Sequence, residues 1–261
     1  MFYSERGKSV TVIQRLEEGR PVPHGIGFFV SSGGGVYLVT CLHVMTRAGG
    51  PRSFLGGDKD AEPGPDAVIL NLRPKEGEGL RDHGLELSDP SGRRRWRTFL
   101  RPECCWDVAV IEIDVRELSA YDVRPWEDEE FLPAGMSLAA GDEIFVLTYP
   151  REYGDAPAPC DVRARIDVEE HQVFASDRGA LTTQPLYEGA SGSPVYRFIG
   201  EAPPGGGEPE PGTPIQLVGI VTGAFPLEDP KAGHIVYADA AAEILHARED
   251  CLDEKGTSFG R

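Results

Sequence analysis

The sequence predicts an all-β protein that folds as one compact body. Short runs with β-branched alternation recur along the chain, the first being Ser9-Val-Thr-Val-Ile-Gln-Arg-Leu16. Glycine and proline clusters separate these runs, and such clusters turn strands. A chain of 261 residues is also long enough for a single all-β unit to bury a sizeable core.

Taken in order, Ser9 to Leu16 is the first predicted strand, ending at Glu17-Glu-Gly-Arg-Pro21. Gly25 to Val30 and Val36 to Thr40 form a hairpin around Ser31-Ser-Gly-Gly-Gly35. His43 follows on a short helical turn. Ala67 to Leu72 and Trp96 to Leu100 read as strands, while Arg73 to Arg95, rich in charge and glycine, reads as an exposed insertion without a core of its own. Such an insertion serves either as a substrate rim or docking site, or merely as a tolerated surface elaboration. Asp107 opens a strand in which Ala109, Ile111 and Ile113 alternate with Val108, Val110 and Glu112.

Tyr121 to Gly135, acidic and proline-bearing, reads as a connector between two halves. The second half opens with a turn and a strand over Ala139 to Pro150, then a flexible loop at Arg151 to Pro159. Strands are expected over Val162 to Ile166, Gln172 to Ala175 and Ala180 to Thr183. Glu201 to Gly212 is too rich in proline and glycine for regular structure and reads as a hairpin tip, because the strand resumes at Ile215. Ile235 to Tyr237 is the last strand, Asp239 to Arg248 a terminal helix capped by its aspartate, and the tail from Asp250 is loose.

The chemistry centres on Tyr187-Glu188-Gly189-Ala190-Ser191-Gly192-Ser193-Pro194-Val195. A serine between two glycines, followed by proline and an apolar run, suits a tight turn that exposes a hydroxyl before entering a strand. A serine nucleophile needs a base, a group to orient that base, and backbone N–H groups for the developing oxyanion. His43, after the strand Tyr37-Leu-Val-Thr40, and Asp107, before Val108-Ala-Val-Ile111, are the candidates for base and orienting group.

These segments, in the order His, Asp, Ser, resemble the trypsin-like (chymotrypsin-fold) serine peptidases, in an intracellular bacterial form. Three ordered motifs with matching flanks are far more specific than a lone Gly-x-Ser-Gly. The resemblance implies two six-stranded antiparallel Greek-key barrels with the active site between them and a short C-terminal helix. It implies a single domain over residues 1–261, with a first barrel over 8–120, a connector over 121–135, a second barrel over 136–238 and the helix over 239–248. The separation of His43 from Asp107 exceeds what compact family members need, in keeping with the insertion.

The implied activity is that of a serine endopeptidase. His43 is the general base, Asp107 its orienting partner and Ser191 the nucleophile, with Gly189 and Ser191 N–H groups as the oxyanion hole. Ser193 is the rival hydroxyl in the same turn, set aside because the preceding Gly-x pair belongs to Ser191. Gln216 to Ala224 resembles the strand that pairs with substrate backbone, so Thr222, Gly223 and Ala224 are substrate-binding candidates. Thr222 also falls where a serine commonly steadies the aspartate. Pro185 and Ile235 take the positions that set the primary pocket and carry no charge, which implies a preference for small or apolar side chains. Glu188 is the carboxylate that could intrude there.

Two departures matter. Family members activated by cleavage carry an aspartate directly before the serine, which pairs with a released amino terminus; here that residue is Ala190. Control by a regulatory protein partner or by loop ordering is expected instead. Secreted members commonly place a bridged cysteine directly after the histidine, where this chain has Val44.

A net charge of −17 and a pI near 4.8 exclude a general nucleic-acid surface. Arg93-Arg94-Arg95-Trp96-Arg97, with Arg101 nearby, is a local exception, read as a site for an anion or an acidic partner or, more simply, as a solvated loop or strand face balanced by carboxylates. The five cysteines, Cys41, Cys104, Cys105, Cys160 and Cys251, have irregular spacing and do not read as a disulfide framework. The adjacent pair at 104 and 105 lacks the second ligand pair of a zinc site and reads as buried, inert thiols. Neither a metal nor another cofactor is expected, and the histidines show no ligand spacing. The amino terminus lacks the apolar core of a signal peptide, and no run is long and apolar enough to span a membrane. A cytoplasmic, reducing location is therefore expected. The partners expected are protein or peptide substrates, with no nucleic acid and no membrane. The alternatives are a non-catalytic binding module on the same fold and an esterase or other acyl transferase of the same mechanism.

Overall fold

The computed structural model describes residues 6–46, 65–92, 94–101, 104–136, 138–149, 158–168, 179–182, 189–200, 213–224 and 233–246. In the first half, the β-branched and aromatic runs form β1 (Val10–Glu17), β2 (Arg20–Ser32), β3 (Gly35–Thr40), β4 (Ala67–Leu72), β5 (Arg81–Glu86), β6 (Trp96–Arg101) and β7 (Cys104–Ile113). Their order across the curled sheet is β5-β4-β1-β2-β3-β7-β6. The two outer strands meet where Arg95 N–H donates to the Leu87 carbonyl at 2.9 Å, beside a bridge between Ser88 and Arg94. Among the described residues this half therefore has seven antiparallel strands, not the six expected.

The additional strand comes from the stretch read as an exposed insertion. β5 pairs with β4 from Ala67↔Glu86 to Leu72↔Arg81. Leu85 and Leu87 are buried in the core, while Arg81, Asp82 and Glu86 face outward. Charge density masked the alternation: one inward leucine and an open β4 edge suffice to bind the segment to the sheet.

The second half forms β9 (Glu143–Thr148), β10 (Cys160–Val168), β11 (Gly179–Thr182), β12 (Pro194–Phe198), β13 (Ile215–Ala224) and β14 (Gly233–Tyr237). They close into a barrel in the order β10-β11-β14-β13-β12-β9, as the expected six strands. The stretches around 151–157 and 172–175 and the hairpin tip at 201–212 lie outside the described residues, as does the tail from Asp250.

The connector is stitched to both halves. Its two-residue strand β8 (Trp126–Glu127) runs parallel to β2, pairing Val30 with Trp126, whose side chain is fully buried. Further on, Leu132 N–H donates to the Leu217 carbonyl of the second barrel at 2.7 Å. The C-terminal helix, named α2 because a single turn precedes it at α1 (Leu42–Met45), spans Ala238–His246. Asp239 stands inside its first turn and not at the cap, where it still complements the helix dipole. Ala240, Ala241, Ile244 and Leu245 of α2 join the larger core cluster, so the helix that follows the second barrel packs on β6 and β7 of the first half as well as on β13 and β14. Among the described residues, no helix is long and apolar enough to cross a membrane.

Candidate active site

Sheet register brings His43 to Asp107. In the antiparallel pair of β3 and β7, Thr40 faces Ala109. Asp107, two residues earlier on β7, thus lies just past the end of β3, where the chain turns into α1. Its Oδ1 accepts the His43 backbone N–H at 3.0 Å, and its Oδ2 lies 2.6 Å from His43 Nδ1. With both oxygens engaged by one residue, the ring is fixed in orientation and carries its proton on Nδ1, which leaves Nε2 as a base. The Asp107 side chain is 9% exposed and that of His43 27%, a buried anchor beneath an accessible ring.

A group that sequence reasoning missed holds this turn from below. Arg15, at the end of β1 and buried, donates to the carbonyls of His43, Val44 and Thr46. A four-residue helix leaves its last carbonyls without partners, and the planar guanidinium supplies donors for several at once. An arginine in an alternating strand gives no sequence signal for this task.

The serine turn docks against the other side. Ile26 N–H on β2 donates to the Ser191 carbonyl at 2.8 Å. Gly192 N–H donates to the Val221 carbonyl at 2.7 Å, and Val221 N–H returns to the Ser193 carbonyl at 2.9 Å. Gly192 has φ of +88°, and a Cβ there would stand 1.9 Å from the Ile26 carbonyl oxygen. That oxygen also accepts the Thr40 hydroxyl at 2.6 Å. Only glycine fits such a place. Gly189 has φ of +96°. Ser191 is half-buried, whereas Ser193 is fully buried, so the two hydroxyls of the turn differ in access. Ala190, in the position of an activating aspartate, is packed into the second barrel's core.

Cys41, just before α1, is also fully buried, and its Sγ donates to the Val221 carbonyl at 3.0 Å. Burial pushes its thiol well above the ordinary value; the Asp107 charge adds to this and the Gly192 backbone opposes it. A cysteine, a histidine and an aspartate this close have the composition of a metal site. Here the thiol keeps its proton and spends it on Val221, and the His43 nitrogen facing Asp107 is taken.

The cleft candidates divide. Thr222 Oγ1 lies 2.5 Å from His234 Nδ1, so its hydroxyl is engaged with β14 and not with the aspartate as expected. Ile235 is fully buried with Val195, Val221 and Tyr237 in the barrel core, which removes it from the pocket wall. Gly223 and Ala224 pair with His234 and Gly233 on one side. β12 pairing on the other side ends at Ile220. Pro185 and Glu188 lie outside the described residues, as do the side chains of Cys104 and Cys105. Cys41 and Cys160 are free thiols.

Two curled antiparallel sheets with a short C-terminal helix define the chymotrypsin fold. Residues 25–202 match the family model described as the trypsin-like peptidase domain, and the chain belongs to that family. The fold also matches the protease domain of MamO from Magnetospirillum magneticum, with a TM-score of 0.54 and 14% identity over 94% of this chain and 98% of that one. The active form of the Rv3671c protease from M. tuberculosis aligns with a TM-score of 0.49 and 18% identity, covering 92% of this chain and 80% of that one. Among curated proteins no sequence match is found.

Proposed function

We propose that the protein is a serine endopeptidase working through an acyl-enzyme, with His43, Asp107 and Ser191 as its triad. The observation that carries this reading is the double hydrogen bond from His43 to the buried Asp107 carboxylate. His43 Nε2 takes the Ser191 proton as the hydroxyl attacks a peptide carbonyl. Asp107 holds the tautomer and stabilises the imidazolium that forms. The N–H groups of Gly189 and Ser191 receive the oxyanion, each such donor being worth about 3 kcal/mol. The protonated imidazole then gives its proton to the leaving amine, and water hydrolyses the ester by the same route.

The side of β13 from Thr222 to Ala224 that faces no strand among the described residues pairs with substrate backbone in extended form. The uncharged Pro185 alone carries the expectation that small or apolar side chains are preferred next to the scissile bond; a peptide-library screen with cleavage chiefly after Arg or Lys would refute this. Restraint comes from a partner or from loop ordering, since Ala190 forms no activating salt bridge. Full fluorophosphonate labelling of the pure chain without any partner would sink that idea. A reducing, cytoplasmic setting suits the free Cys41 and Cys160 thiols. Mass spectrometry of the native protein from its cells tests this, and a disulfide at either thiol would count against it.

Casein proteolysis by the purified chain beside Ser191→Ala tests the central reading. Cleavage lost in the variant, by about a millionfold in turnover, is the expected result. Equal cleavage by both would refute the assignment of Ser191. No cleavage by either, with no fluorophosphonate labelling in the presence of candidate partners, would favour a binding module.

A further inference from the structure

The Cys41 side chain touches both halves of the candidate site. Toward the second barrel, its Sγ donates to the Val221 carbonyl. Toward the first, Sγ, a ring nitrogen of His43 and a carboxylate oxygen of Asp107 all lie within 4.8 Å of one another. The Val221 peptide in turn grips the serine turn through both of its polar groups, receiving Gly192 N–H and donating to the Ser193 carbonyl. Only Leu42 separates Cys41 from His43 in the chain, so a short route of one side chain and one stretch of backbone joins the base to the nucleophile turn.

We propose that Cys41 is a positioning residue: its thiol clamps Val221, fixes the Ser191 turn against the His43–Asp107 pair, and keeps water from the aspartate. This rests on the triad reading above. A clamp of this kind needs a donor of small volume in a dry place. The thiol qualifies because it is fully buried and stays protonated, which also makes it a poor nucleophile. Alanine at this position would leave a void beside the carboxylate and remove this polar tie between the sheets, leaving the Ile26–Ser191 bond. Serine would keep the donor on a shorter bond.

The test compares the full chain with Cys41→Ala, Cys41→Ser and Cys41→Val, each first checked for cooperative thermal unfolding. Three readouts are taken: the rate of fluorophosphonate labelling, kcat and KM on dye-labelled casein, and the downfield NMR resonance of the His43 Nδ1 proton. Cys41→Ala is expected to lower the labelling rate and kcat about tenfold with KM unchanged, and Cys41→Ser to recover most of the loss. Should Cys41→Ala fail to fold, Cys41→Val keeps the volume without the donor and is expected to show the same loss. Labelling and turnover in the donor-free variants equal to wild type would overturn the proposal. A wild type that neither labels nor cleaves even with candidate partners present would count against the triad reading, and the resonance then decides on the clamp alone. A His43 signal that moves in the donor-free variants and returns with serine upholds it, and an unmoved signal overturns it.

Discussion

The amide of Ile26 is hydrogen-bonded to the carbonyl of Ser191 across the seam between the two sheets. The serine turn is therefore built onto a strand of the first half, and the carbonyl of that same Ile26 leaves no room for a side chain at Gly192. Gly192→Ala is expected to cost at least about 2 kcal/mol, because it adds a left-handed φ penalty to a backbone clash. It should also displace the turn enough to abolish fluorophosphonate labelling. Urea unfolding and labelling measured together check this, and a variant unchanged in both would show that the turn is not seated on β2.

The difference in access between the two hydroxyls makes a second prediction. Ser193→Ala removes a fully buried Oγ that has no hydrogen-bond partner among the described residues. Stability should change by less than about 1 kcal/mol and casein turnover should stay near wild type, while Ser191→Ala loses it. The reverse order of effects in the two variants would make Ser193 the nucleophile.

Arg15 supports the histidine turn by holding carbonyls that have no helical partners. Arg15→Met keeps the apolar stem and removes the donors, leaving buried carbonyls unsatisfied. A loss of about 3 kcal/mol in denaturant unfolding is expected, together with lower turnover. Arg15→Lys, with one ammonium in place of a planar fork, should recover only part of it. Wild-type stability in Arg15→Met would mean that water serves the carbonyls equally well.

A pH dependence follows from Asp161 on β10. Burial pushes its carboxyl up from 3.8 to about 6, against the opposing pull of the Tyr196 hydrogen bond. The folded protein thus holds this proton more tightly than the unfolded chain, so stability falls as pH rises between those values. The contribution is whole below the ordinary value and gone above the raised one. Asp161→Asn keeps a neutral acceptor for Tyr196 and removes the titration. It is expected to raise the melting temperature near neutral pH and to flatten the acid-side slope; parallel wild-type and variant profiles across that range would refute the account.

Much of this architecture is legible from residue order. The Ser9 to Leu16 run, the glycine turn before Val36 and the histidine on a helical turn each have local physical signatures, and the structure forms a strand, a turn and a helical turn there, although β1 buries Arg15 and exposes Leu16 against a simple alternation. Asp107 was legible through its flanking apolar run. β5 was not, because its inward leucine is embedded among charges that a composition-based reading assigns to solvent. The helix start shifted by one residue because Asp239 is as favourable inside a first turn as at a cap. Ile235 and Thr222 were misplaced for a different reason: which face of a strand meets the cleft depends on a bulge between Val221 and Gly223, and a bulge leaves no mark in residue types. Arg15 and Cys41 act through side-chain geometry across strands distant in sequence, which no local pattern encodes.

The serine turn is bonded on one flank to Ile26, near the beginning of the chain, and on the other to Val221, near its end. During synthesis the first half is complete long before Val221 leaves the ribosome, and such halves fold as they emerge. Until then the Ser191 turn has only the Ile26 side of its seat. Under the proposed function, the order of translation thus delays assembly of the serine turn until β13 has been made.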